Sequence, residues 1–381
     1  MIERAGRLLF LFVLAATMLG GGNLASAAWQ PEISVGLLSG ADKISVSLNR
    51  EARITASSKK VIVVKPGSKI AISFNGDEIT VDGRKLAGKS FELRPFDPRD
   101  LDKLVVTLNG RAYRGGLKII GRGRKMTVVN VLPAEEYLRG VLPKEMPPAW
   151  PQEALKAQAV AARTYALKNR GRHKSDGYDL CDDVHCQVYE GKDAEEPSTD
   201  KAVNATYGEI LVFKEKPIDA FFHADSGGMT ENSEHVWGTM HSYLRTAAEK
   251  EEKTNPWEKK VPLATFEGKF SLGKTEKIIL SPLKIGKGDS DRSLSGRVIK
   301  VKIKFQKGEK TVSGNDLRGM FGLKSTLFDM RLTKDAVIFS GFGVGHGLGM
   351  SQYGAKAWAS EKDYKSILTH YYRGTELKKL Y

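Results

Sequence analysis

An α+β fold, with a β-rich N-terminal part and a mixed α/β domain after it, follows from three observations on this 381-residue chain. Short β-branched runs separated by turn signals fill Ile33 to about Val131. An alanine-rich pattern with helical spacing occupies the centre. After Gly208 strand-like runs return, and the chain closes on two helical segments.

The first residues read as an address rather than as structure. Arg4 and Arg7 precede an apolar run from Leu8 to Leu19, and Ala25-Ser26-Ala27 suits a signal peptidase cut before Ala28. The run is shorter than the roughly 20 apolar residues a permanent span needs. No cysteine follows it to take a lipid, and no later segment is apolar enough to cross a bilayer. Residues 1–27 are therefore expected to be a signal peptide, with an uncleaved anchor as the alternative, and the exported chain to have no stable membrane span once it is removed, working in the cell wall, periplasm or medium.

Residues 28–112 form the expected β-rich region. Ile33–Leu37, Val61–Val64 and Leu104–Leu108 alternate or run apolar between the turn signals Pro66-Gly67, Asn75-Gly76-Asp77, Asp82-Gly83 and Asn109-Gly110. Residues 113–377 form the second domain, with a basic, strand-rich insert at about 246–340. Within it, Pro133 opens a helix whose Glu135 and Glu136 suit the dipole at its start and are read as structural. Pro151 to about Arg170 is the clearest helix, with Leu155, Ala159, Ala162 and Ala166 on one face. Strands are expected at Glu209–Phe213 and Ile218–Phe222, a short helix at Gly314–Phe321, and closing helices near Met350–Ala359 and Asp363–Tyr371.

A formal charge of +15 suits an anionic polymer, and outside a bacterial membrane that means wall or lipid headgroups rather than nucleic acid. The positive residues are scattered, so a diffuse solvated surface explains the charge equally well. Two cysteines, Cys181 and Cys186, exclude a disulfide-built scaffold.

One carboxylate stands out. Leu142-Pro143-Lys144-Glu145-Met146-Pro147-Pro148 places Glu145 in what reads as a proline-stiffened loop, with Met146 and Trp150 as apolar cover that would raise its pKa. The positive end of the following helix would lower it. A surface glutamate at a helix entry is the plain alternative. The run Pro133 to Pro147, continuing through Glu153–Ala166, resembles the stage II sporulation protein D and amidase-enhancer family. Two further blocks resemble it in the same order: Ala220-Phe221-Phe222-His223-Ala224-Asp225-Ser226-Gly227-Gly228-Met229-Thr230-Glu231-Asn232-Ser233, and Gly345-His346-Gly347-Leu348-Gly349-Met350-Ser351-Gln352-Tyr353-Gly354-Ala355 with His370-Tyr371-Tyr372 after it. The likeness spans about Gly115 to Leu377.

The resemblance implies a groove and a lytic transglycosylase that cleaves peptidoglycan glycan strands stripped of stem peptides, with Glu145 as the catalytic residue. One carboxyl suffices for that reaction: it protonates the leaving oxygen, then accepts the proton of the sugar's own 6-hydroxyl as that oxygen attacks. Ordinary glycosidases need two carboxyls. No cofactor is needed for the step. By the same resemblance Ser226, Gly227, His346, Ser351, Gln352 and Tyr353 are expected at the substrate, their plain alternative being turn packing. Trp150, Tyr165 and Trp237 are candidate platforms for sugar faces. His370-Tyr371-Tyr372 reads as core.

His173, Cys181, His185 and Cys186 offer four ligands for a structural zinc, as some members of the family hold. A Cys181–Cys186 disulfide and two free thiols stay open beside it. Ser226 lacks the Gly-x-Ser-x-Gly elbow of a serine hydrolase, because residue 224 is Ala. The glycine run Gly341–Gly349 is followed by too little chain for a dinucleotide fold. The partners expected are glycan strands and, if the chain is a non-catalytic enhancer instead, a separate cell-wall amidase. A water-using hydrolase with Asp225 or Glu231 as second carboxylate is the third reading.

Overall fold

The computed structural model describes residues 30–56, 60–76, 78–86 and 88–381. The signal segment and Asp77 of the second turn lie outside the described residues. Among the described residues no helix is long and apolar enough to cross a membrane.

Alternating burial folds the first hundred residues into two antiparallel sheets that share a core. In Glu32–Ala41 and Lys43–Leu48 every second residue near the middle points inward, so Ile33, Val35, Ile44, Val46 and Leu48 are buried. The first of these strands belongs to a seven-stranded sheet and the second to a six-stranded one. Register shifts between Gly36 and Ala41 let the chain leave one sheet for the other. Strands Gly116–Arg122 and Lys125–Pro133 complete the larger sheet beside Glu32–Ala41. The boundary expected after residue 112 thus falls inside the hairpin Val105–Leu108/Arg111–Arg114, and the sheet continues unbroken into the second domain. The reason is pairing: Lys125–Pro133 is the neighbour of the chain's first described strand.

Lys125–Pro133 runs directly into the helix Ala134–Glu145, and the helix Gln152–Lys168 follows. The second is buried on all sides, among Ala134–Glu145, Pro197–Ala205, Gln352–Trp358, Tyr364–Tyr371 and the strand Glu209–Phe213. Its alanines at 154, 157, 159, 161, 162 and 166 permit that close approach. Inside it Arg163 is fully buried and forks onto Glu135 at 2.8 and 2.7 Å. The C-terminal Tyr381 hydroxyl and the Gly208 amide also donate to Glu135. The structural role expected for Glu135 holds, and deleting one partner of such a pair costs about 3–5 kcal/mol.

The insert has its own apolar core around Trp257, Phe266, Ile303, Phe328 and Phe339. Two three-stranded sheets build it, one of Trp257–Pro262, Ala336–Gly341 and Phe328–Leu332, the other of Thr275–Ile279, Lys300–Phe305 and Gly308–Ser313. The helices expected at Gly314–Phe321 and at the C-terminus are present, the latter as Gln352–Trp358 and Tyr364–Tyr371. Tyr371 and Tyr372 are core and His370 is half-buried. The strand expected at Ile218–Phe222 is replaced by two short pairings, Lys216–Pro217 and Phe222–His223, because the residues between them find no partner strand.

Candidate active site

Glu145 is not in a loop. It is the last residue of the helix Ala134–Glu145, which passes through Pro143 and is closed by the Met146 amide on the Leu142 carbonyl at 3.0 Å. A single proline near the end of a helix removes one ladder bond and leaves the last turn standing. The consequence is electrostatic. At the carboxyl end of its own helix, Glu145 meets the negative pole, which disfavours its anion. Burial raises its pKa above the ordinary carboxylate value against two hydrogen bonds that lower it, from the Val188 amide at 3.3 Å and the Gln352 side-chain amide at 3.4 Å.

The two glycine-containing blocks meet over this carboxyl. Phe222–His223 pairs in parallel with Met350–Ser351, and Asp225 exchanges backbone bonds with Val344. The Tyr353 amide donates to the Ala224 carbonyl. Gly345, at φ 111°, passes so close that a side-chain carbon there would stand 2.8 Å from the His223 Cβ. The glycine run is therefore a close-packing device that brings His346 beside His223.

The result is a cleft of about 480 Å³ lined by Glu145, His223, His346 and Gln352, with Tyr165, Phe221, Phe222 and Trp237 as aromatic walls. Glu145 is the only carboxylate among its described lining residues. Both histidines are neutral. Burial and neighbouring arginines hold His346 at about 3, and burial drives His223 well below its usual value. The His223 Nδ1 lies 3.1 Å from the Leu348 carbonyl oxygen, which only accepts, so Nδ1 carries the proton. Its Nε2 is a buried acceptor with no partner among the described residues. Trp237, 48% exposed, packs edge-on to Phe221 at 4.4 Å. The cleft thus offers one acid and aromatic faces, with a covered, unpaired acceptor in its wall.

Other expected contacts lie elsewhere. Ser226 and Ser351 are fully buried behind the cleft, where the Ser226 hydroxyl donates to Glu249 and the Ser351 hydroxyl accepts from the Gly354 amide. Gly227 is buried with them. They hold the wall together and do not face the cleft. Tyr353 lines a neighbouring hollow with Asp225, Glu249 and Lys356, and packs edge-on to Trp150. Asp225 is engaged by Thr254, Asn255 and the Gly227 amide, and Glu231 by Ser293, Ser295, His235 and the Asn232 amide. Neither lines the Glu145 cleft, which removes them as second carboxylates. His223, Glu249, Arg297 and Arg318 were not singled out from the sequence. His223 lies within the Ala220–Ser233 block, whereas the other three carry no local signal.

Beside the cleft, His173, Cys181, His185 and Cys186 place one ligand atom each within 4.8 Å of one another. Both cysteines are free. The Sγ–N contacts are 3.5 Å from Cys186 to the His173 Nε2 and 3.6 Å from Cys181 and from Cys186 to the His185 Nδ1. A tetrahedral zinc with bonds of 2.0–2.3 Å sets about 3.6 Å between its ligands, so the four residues fit that ion. The His173 Nδ1 faces Asp176 at 3.5 Å, the orienting contact usual behind a metal-bound imidazole.

The Stage II sporulation protein family matches residues 122–213, and a domain of unknown function (DUF8618) matches residues 288–349. An uncharacterized protein of Brachyspira hyodysenteriae is 37% identical over 284 residues, 71% of this chain and 73% of its own. Stage II sporulation protein D of Bacillus subtilis is 33% identical over 271 residues, covering 65% and 75%. The amidase enhancer of Bacillus subtilis is 30% identical over 387 residues, 88% of this chain and 54% of that longer protein. With three-quarters of stage II sporulation protein D covered at this identity, and the wall of the cleft built from the blocks that carry the likeness, the chain belongs to the stage II sporulation protein D and amidase-enhancer family.

Proposed function

We propose that this protein is an exported lytic transglycosylase that cleaves peptide-free peptidoglycan glycan strands, with Glu145 as acid and then base. The observation that carries the reading is a single carboxyl, raised in pKa, in a cleft walled by aromatic rings. A raised pKa keeps the proton available near neutral pH for the glycosidic oxygen. As the bond breaks, the resulting carboxylate accepts the proton of the 6-hydroxyl on the same sugar, whose oxygen closes onto the anomeric carbon. The intramolecular attack has the effective concentration that a second carboxylate and a water would otherwise have to supply. Trp237 and Tyr165 are placed to face sugar rings.

A structural zinc held by His173, Cys181, His185 and Cys186 belongs to the same reading. Four protein ligands would leave no open position, so a zinc there would fix the loop that carries Val188, whose amide donates to Glu145.

The test is digestion of peptide-free glycan by the wild type and by Glu145→Ala, with no other protein present. The wild type is expected to release anhydromuramoyl ends and the variant to be slower by about 10²–10⁴-fold. Equal release by both would reject Glu145. A wild type that is inert alone and active only as a stimulator of an amidase would favour the enhancer reading, which the similarity to a protein of that name motivates.

A further inference from the structure

Arg318 stands on the insert helix Gly314–Phe321 and lines a hollow of about 490 Å³ with Trp237, Asn315, Leu323 and His346. Trp237 and His346 also line the Glu145 cleft, so the hollow continues that cleft onto the insert. The Arg318 guanidinium is half-buried. Among the described residues it has no carboxylate partner and no hydrogen bond, and its Nε is covered. Burial lowers its pKa with no acid opposing. The contrast is Arg292 in the same insert, which is paired with Asp329.

The neighbouring Arg297 feels the Glu231 and Asp225 carboxylates, whereas none acts on Arg318. Arg297, fully buried, spends its guanidinium on the neutral Ser226 carbonyl at 2.8 Å and the Thr326 hydroxyl at 3.3 Å. His346 is neutral and so cannot add repulsion. A half-desolvated cation without a counter-ion is costly, and a ligand carboxylate offsets that cost through paired N–H···O bonds.

We infer that Arg318 recognises the free lactyl carboxylate that muramic acid exposes once its stem peptide has been removed. The inference rests on the glycan-cleaving reading above and names the group that selects the substrate. While the peptide is attached, the same carbonyl is an uncharged amide with one acceptor oxygen and a bulky chain behind it, so it gives Arg318 neither a counter-charge nor a second oxygen for the fork. Peptide removal would then be what makes a strand fit, and the insert would carry the selectivity while the family blocks carry the chemistry.

Binding tests this separately from turnover. Full-length Glu145→Gln protein is titrated with peptide-free glycan and with the same strands after conversion of their carboxyls to methylamides. The free acid is expected to bind about tenfold or more tighter, and less so as salt rises. Adding Arg318→Ala should bring the free acid down to the methylamide affinity without changing the latter. Arg318→Lys, which keeps the charge and loses the fork, should retain a reduced preference. Equal binding of the two strands by the parent, or an undiminished preference in Arg318→Ala, would overturn the inference. A parent that binds neither strand would overturn the glycan reading beneath it.

Discussion

Glu249 shows how the wall behind the cleft depends on protonation. Its carboxyl accepts from the Ser226 hydroxyl at 2.8 Å and the Tyr371 hydroxyl at 2.6 Å. Gly354 is glycine because a side-chain carbon there would stand 2.0 Å from the Glu249 Oε2. Burial, with Asp225 adding to it, pushes Glu249 up from 4.5 to about 7. A raised folded pKa stabilises the fold fully below the unfolded value and loses that contribution as pH rises through the folded one. The window is therefore about pH 4.5 to 7, and the amount at most about 3 kcal/mol, less what solvent screens. Thermal unfolding followed from pH 5 to pH 8 should show a falling Tm for the wild type and a flatter line for Glu249→Gln. Parallel lines for the two proteins would contradict this. The same residue scale shows what a sequence hides: Glu145 stood out by its neighbours, whereas Glu249, His223 and Arg318 acquire their properties from partners about a hundred residues away or from lacking one.

At the scale of elements, helices were legible because their periodicity is local. Gly314–Phe321 and the two closing helices appear where spacing and caps put them, with Ser313, Ser351 and Asp363 accepting from amides of the first turns. The exception is the end of Ala134–Glu145, where Pro143 reads as a stop and the helix runs on. Paired strands across long separations were less legible, since Phe222–His223 exists only through Met350–Ser351. The segment from Cys181 to Val188 ties the candidate metal cluster to the Glu145 clamp. Purified protein is therefore expected to carry about one zinc per chain by metal analysis. Cys186→Ser should lose the zinc, lower the Tm and slow glycan cleavage without changing the product. A zinc-free wild type with no titratable thiol would instead indicate the Cys181–Cys186 disulfide.

At the scale of the whole molecule, the two β-rich regions serve one central cleft. The N-terminal sheets share a core with the helices that carry Glu145, and the insert, with a core of its own, reaches the cleft wall through Arg297 on the Ser226 carbonyl. Fold class and the order of blocks could be read along the chain. The merging of the N-terminal region into the second domain could not, because the strand that joins them pairs residues a hundred positions apart. The cleft is where these parts meet, and the one carboxylate among its described lining residues sets the chemistry proposed for it. Digestion of peptide-free glycan in oxygen-18 water, read by product mass, tests this most directly. One-carboxylate transglycosylation predicts new ends that lack a water and carry no oxygen-18; oxygen-18 at the new reducing ends would show that water attacks and would contradict the account.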